Sequence, residues 1–585
     1  MENQPCIINC HTHVFVHKII PPQIGKSFMP WPLYTLFTTG LILRLAKLWY
    51  SEKPWSPTNK NIKYLYRRIQ IIIYSYRSFV KRTALVNLLV NLFNWIAIIN
   101  AIYFVFRNAI QKILSFNQDL LEIVITLKNW LIQYHLLFPD LAMVWKVLLI
   151  AFVFLFLKTG RKILIGILKN TVKLASLWPD QKTIDFYKRY INIGRFANYK
   201  KSSIIYSKLQ RQYPSDSGFV LLPMDMHFMG AGKVSDEGEF RLQMEELAGI
   251  KKNHPDKAYP FLFIDPRRIK SQSDFLSYTL GNGRVTLKEC MVKEYMEDKK
   301  FNGFKIYPAL GYYPFDEDLL ILWKYAADHQ LPIMTHAIRG TIFYRGTKKK
   351  EWGYHPVFTQ TTGRIEDPPE PLLLPELKNV NYINNFTHPL NYLCLVEERM
   401  LRKLVAKCRK EIQDFFGYTN AETPLLHNLS HLKLCFGHYG GDDEWTRYLD
   451  KDRYDYSQQI IHSPSRGIEF LKDSRGDYTE AKLEDIWRFV DWYSIISSLM
   501  VQYDHLYADI SYILHQQYIY PLLKESINSP YLKTKVLFGS DFYVVRNHKS
   551  EKEMLSQLEA GLSPAQFDQI ARINPLTFLQ SPNFP

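Results

Sequence analysis

The chain has 585 residues, 47% of them apolar and 15% aromatic, with a formal net charge of +17. This composition excludes global disorder, and the length excludes a single minimal domain. Six cysteines, none in a C-x-x-C pair, exclude a disulfide framework and a zinc ribbon and fit a reducing compartment.

In chain order, MENQPCIINC lacks the basic, apolar, small-residue pattern of a secretory signal, which points to the cytoplasm. Cys6 to Cys10 reads as a short first strand, so residues 1–13 are its unit. From Phe15 the character changes: residues 14–210 hold 28 Lys and Arg against 6 Asp and Glu, so the basic excess belongs to this segment alone.

Residues 83–106 contain no charged side chain and exceed the roughly 20 apolar residues that cross a bilayer as a helix. A second apolar run, 141–157, is shorter and interrupted by Lys146. Arg67, Arg68, Lys81, Arg82, Arg161 and Lys162 flank the two, as cations flank a segment that enters a membrane from its cytoplasmic side. Against lipid, Asn87, Asn91 and Asn94 form a polar stripe at helical spacing that suits a soluble bundle. The expectation is a helical insertion associated with the inner face of the cytoplasmic membrane.

From residue 211 to 585 short apolar runs alternate with helical patterns, the signature of βα units. The runs are FVLLPMDM, YPFLFID, FNGFKIYP, PIMTHA, LKLCFGH, HLYADIS and KVLFGSD. With the first strand they make eight, which predicts an α/β fold: a (β/α)8 TIM barrel with a large helical insertion after its first strand. Two excursions, about 340–385 and 440–490, fall on the same C-terminal rim.

In a strand, residues i and i+2 point to one side, so His11 and His13 in CHTH project together. Other runs end on Lys305, His336, His438 and Asp541. Apolar strands that each close on a His, Lys or Asp are hard to explain by packing, because buried polar groups cost several kcal/mol unless paired or bound to metal. Arg339, Tyr312 and Tyr313 are expected near the mouth as substrate contacts, Arg339 as a bidentate anchor for a carboxylate or phosphate. Asp265, Pro266 and Arg267 read as barrel architecture, and His388 as a helix cap.

INCHTHVF, GFKIYP, PIMTHA, THPLNY, LSHLKLCFGHYGG, LYADISY, VLFGSDFY and ARINPLTFL, in that order, resemble the amidohydrolase superfamily and its amidohydrolase-related branch of metal-dependent hydrolases and decarboxylases. The resemblance covers residues 1–13 and about 217–580 and leaves 14–210 outside the family pattern. It implies that His11, His13, His336 and Asp541 ligate one divalent metal, usually zinc, and that His438 is the catalytic histidine. Lys305 and His438 occupy positions compatible with a second metal, with Lys305 carboxylated, as in binuclear members.

The resulting expectation is a hydrolase in which a metal-bound hydroxide attacks a carbonyl and cleaves a C–N or C–O bond, with Asp541 as general base and His438 polarising the carbonyl or moving a proton. Non-oxidative decarboxylation at the same site is the alternative. A membrane-attached scaffold with a structural metal is the alternative of another class. The expected partners are a small-molecule substrate, of amphiphilic character if it arrives from lipid, and a membrane surface; nucleic acid is not expected.

Overall fold

All eight apolar runs form strands: β1 (Ile8–Thr12), β2 (Gly218–Leu221), β3 (Ala258–Phe263), β4 (Gly303–Lys305), β5 (Ile333–Ile338), β6 (Leu434–Gly440), β7 (Leu506–Asp509) and β8 (Val536–Leu537). The structure, a computed structural model, describes residues 5–27, 33–36, 38–42, 44, 60–114, 118–157, 159–160, 162, 199–235, 239–340, 342–360, 370–375, 382–450, 452–542 and 548–581. Arg161 therefore lies outside the described residues.

The strands pair in parallel in the order β1 to β8. The last returns to the first: the Phe538 carbonyl accepts from the Cys10 amide at 2.8 Å, the His11 carbonyl from the Asp541 amide at 2.9 Å, and a parallel bridge joins Thr12 to Phe542. The eight strands therefore close into a TIM barrel, and with both faces covered they are almost wholly buried. Asn9 fastens the seam, donating to Ser540 Oγ and Tyr213 Oη at 2.8 Å each and accepting from the Ser540 amide at 3.1 Å.

Ile8 and Cys10 pack in an inner cluster with Val220, Met334, Cys435 and Phe578. His11 and His13 have the opposite parity, and they reach the same interior because the β1–β2 register shifts between Asn9 and Thr12. Such an irregularity re-aims side chains beside functional sites.

Residues His17–Ile19, Ile24–Ser27 and Ser202–Gln210 also pack into the large barrel core, through Ile19, Ile24, Ile205, Tyr206 and Leu209. The second compact unit is Leu48–Ile184, shorter than the segment 14–210 marked by its charge. It contains α1 (Lys60–Arg82), α2 (Ala84–Leu114), α3 (Gln118–Gln133) and α4 (Met143–Phe156). Ala97 and Ala101 let α4 approach α2, with Val153 buried between them. Asn100 donates to the Leu136 carbonyl and accepts from the Phe138 amide, both at 2.8 Å, so it holds the turn that follows α3. Ala84–Phe106 is long and apolar enough to cross a membrane by length and composition.

The first rim excursion carries a hairpin, Tyr354–Gln360 with Glu370–Leu373. His355 anchors it: Nδ1 accepts from the amides of Val357 (3.1 Å) and Phe358 (2.8 Å), so Nε2 carries the proton and donates to Asn391 Oδ1 at 3.0 Å. Burial drives its pKa from 6.5 down to about 3. As pH falls, the unfolded chain takes up this proton first, so the contribution to stability is whole above about 6.5 and is lost between there and about 3. Urea unfolding across that window is expected to show a steeper loss of stability for the native chain than for His355→Asn, by up to about 1.4 kcal/mol per pH unit.

Candidate metal centre

At the C-terminal mouth, β1 delivers His11 and His13, β5 His336, β6 His438 and β7 Asp509, while Asp541 follows β8; all are buried. His11, His13 and Asp541 offer ligand atoms within 4.8 Å of one another. The His336 and His438 rings are 4.7 Å apart between centroids, and those of His11 and His438 4.6 Å. Tyr307 stacks on His336 at 4.0 Å.

Asp509, which the sequence reading did not single out, governs the hydrogen positions. One oxygen accepts from His11 Nδ1 at 2.9 Å; the other accepts from the amides of His438 (3.1 Å) and Ser511 (3.0 Å) and from the Ser511 hydroxyl. A carboxylate only accepts, so His11 Nδ1 must carry a proton and the Ser511 hydroxyl must donate to Asp509. Ser511 Oγ then accepts from His438 Nδ1 at 2.9 Å, and His438 Nε2, left with its lone pair, accepts from His336 Nδ1 at 3.0 Å. His13 Nδ1 donates to the Leu222 carbonyl at 2.8 Å.

The donor set fits a divalent cation on this reading. His11 Nε2 and His336 Nε2 are buried with lone pairs and no hydrogen-bond partner among the described residues. His13 Nε2, also a lone pair, faces Asp541 Oδ1 at 3.3 Å. Each buried polar atom left so costs about 1–3 kcal/mol, which coordination removes. Burial lowers the pKa of His11 to about 4 and of His438 to about 3, and holds His336 well below 6.5, with neighbouring imidazoles adding to the depression. The rings are therefore neutral and ready to ligate. Burial opposes ionisation of Asp509, but His11 and the hydrogen bonds it accepts win and hold its pKa below the usual carboxylate range.

In a second grouping, His11, His438 and Asp509, the carboxylate is already committed to donors from His11 Nδ1, the His438 amide and Ser511. Lys305 is fully buried, donates to the Thr335 carbonyl at 3.2 Å, and has its pKa lowered by burial to about 8. The arrangement suits one ion better than two.

Local backbone serves the same end. Cβ atoms at Gly437 and Gly539 would lie 3.0 Å and 2.8 Å from the His11 side chain, so both positions must be bare for the ring to fit. His438 (φ 70°), Tyr512 (φ 64°) and Asp541 (φ 59°) occupy the left-handed region, a cost of about 1–3 kcal/mol each that clusters at the mouth.

Phe15, Met224, Tyr307, Ile338, Ile342 and Tyr512 wall a cavity of roughly 110 Å³ over His13, His336, His438 and Asp541. Arg339 lies on its edge, 3.2 Å from Glu444, which also pairs with Arg447 at 2.8 Å, so the trio keeps one net positive charge. The two tyrosines expected here are elsewhere. Tyr312 bridges the Tyr307 amide and the Ile264 carbonyl, and Tyr313 packs on Phe315 and Phe386. Asp265 caps the helix that begins at Pro266, and His388 accepts from the Leu390 amide at 3.3 Å, both architectural as expected.

No family model matches the chain, and no curated protein does. Among solved structures it is similar to an amidohydrolase II (11% identity, covering 64% of this chain and 87% of that one, TM-score 0.32). It is also similar to the manganese-bound 5-carboxyvanillate decarboxylase of Novosphingobium aromaticivorans (11%, 72% and 93%, 0.35) and to the 2,6-dihydroxybenzoate decarboxylase of Rhizobium (11%, 70% and 94%, 0.32). Identities this low tie no reaction of theirs to this chain.

Equilibrium dialysis followed by elemental analysis is expected to find one divalent ion per chain, lost in His11→Ala and in His336→Ala. Ser511→Ala, which removes only the hydroxyl that fixes the His438 tautomer, is expected to weaken binding about 10- to 100-fold. A stoichiometry of two would overturn the single-ion assignment.

Proposed function

We propose that this chain is a metal-dependent hydrolase that cleaves a C–N or C–O bond at the carbonyl of a small substrate. The observation that carries this reading is the grouping of His11, His13 and the Asp541 carboxylate, whose ligand atoms lie within 4.8 Å of one another, beside a small cavity at the barrel mouth whose lining includes His336 with its partnerless Nε2. Three nitrogens and one carboxylate favour zinc among the common ions. A divalent cation held there by His11, His13, His336 and Asp541 would supply Lewis acidity to a water and to the substrate carbonyl.

The protein's own groups then divide the proton work. Asp541, at the cavity floor, is placed to accept the proton of the attacking water and return it to the leaving group. His438 has its Nδ1 proton anchored on Ser511, so a proton reaching Nε2, in place of the hydrogen bond accepted from His336, would create a cation whose charge Asp509 offsets through that hydroxyl. Phe15, Met224, Ile338 and Ile342 limit bulk water, which strengthens each polar interaction at the floor.

A second reading rests on Arg339 together with the apolar and aromatic wall, a combination that suits a carboxylate carried on a flat ring. Such a substrate could lose carbon dioxide at the same centre without hydrolysis.

Turnover in ¹⁸O-labelled water distinguishes the two. Label in the organic product without release of carbon dioxide is expected for the hydrolase, and release of carbon dioxide with no label in the organic product would replace it with the decarboxylase. In either case Asp541→Asn and His438→Ala are each expected to lower kcat by about 10²–10⁴-fold.

A further inference from the structure

Helix α1 has a design that the mouth of the barrel does not use. Leu65, Ile69, Ile72, Ile73, Tyr76 and Val80 recur at i, i+4, i+7, i+8, i+11 and i+15, with Phe79 alongside, and so share one stripe of the helix. Within this stripe Leu65, Ile69, Ile72, Ile73, Tyr76 and Phe79 are between 43% and 65% exposed, an apolar surface too continuous for a water-facing helix. At 100° per residue, Arg67 and Lys81 fall on the face away from the stripe, and Arg68, Arg77 and Arg82 fall along its two borders. Residues 60–82 carry seven Lys and Arg and no Asp or Glu.

We propose that α1 lies in the plane of an anionic lipid bilayer, with its apolar stripe among the acyl chains and its arginines and lysines at the phosphates. A helix of 23 residues is about 34 Å long. Its low overall hydrophobicity, wide apolar stripe and cationic borders are the properties of a helix that rests on a membrane without crossing it. Long cationic side chains beside the stripe can bury their methylenes and still reach the headgroups.

Charge excludes the other occupants. A second copy of α1 stacked on the stripe would bring two cationic borders together. A nucleic acid would cover the cations and leave the stripe in water. An anionic membrane satisfies both faces at once, and Leu85, Leu88, Leu89 and Leu92 at the start of α2 are exposed as well.

The test uses the full chain in co-sedimentation with vesicles of phosphatidylcholine alone or mixed with phosphatidylglycerol, at low and high salt. Binding to the mixed vesicles, weakened by salt, is expected. Arg68→Glu/Arg77→Glu, one from each border, is expected to lower it by at least about thirtyfold, since each cation near the surface contributes roughly a factor of five. Ile69→Glu/Ile72→Glu is expected to abolish it, with the metal content of the barrel retained as proof of folding. Unchanged binding in both variants would assign the attachment to α2 and overturn the proposal. So would failure of the native chain to bind mixed vesicles at low salt. Dissociation of a self-associated chain by the Ile variant, or salt-sensitive RNA binding lost in the Arg variant, without any change in vesicle binding, would likewise overturn it in favour of that occupant.

Discussion

Asp509 is one buried carboxylate with several donors, and the mouth of the barrel is organised by which atoms it can bind. Because it accepts and never donates, it fixes the proton of His11 directly and those of His438 and His336 in sequence through Ser511. The chain of constraints runs outward from the strand to the ligands, so the lone pairs are aimed before any ion arrives. A site built in this order spends little free energy on reorganisation when it fills.

The barrel was legible in the sequence because its strands are short, apolar and separated by helices, and eight of them can be counted. The candidate ligands were marked by an H-x-H pair at the end of the first strand and by ionisable residues, His336 and Asp541 among them, that terminate other apolar runs. Asp509 ends its strand in the same way, yet a carboxylate at a strand end reads alike whether it touches an ion or a ligand of that ion. Only the contact with His11 Nδ1 separates the two roles. Tyr312 and Tyr313 lie close to the mouth along the chain, and the 3-10 turn at Pro308–Leu310 carries them away while leaving Tyr307 on the cavity. No periodicity encodes that turn's effect.

The insertion shows a different limit. Its charge begins to rise after His13, but charge does not mark the end of packing, and Ile19, Ile24, Ile205, Tyr206 and Leu209 belong to the barrel core on either side of the helical unit. The eye is also drawn to uncharged runs such as 83–106, whereas α1 hides an apolar stripe among seven cations and emerges only when residues are placed around a helix. An amphipathic helix and an uncharged one ask different questions of the sequence, the first about angle and the second about length.

The glycines at 437 and 539 set the terms on which this protein can change. With both in contact with His11, a single added methyl group on either would displace that ring. Crowded glycines of the rim excursions, such as 346 and 467, press on Tyr344 and Ser498 and leave the His11 ring untouched. A bulkier residue at those rim positions would therefore leave His11 where it stands, whereas one at 437 or 539 would reach the deepest imidazole of the barrel directly.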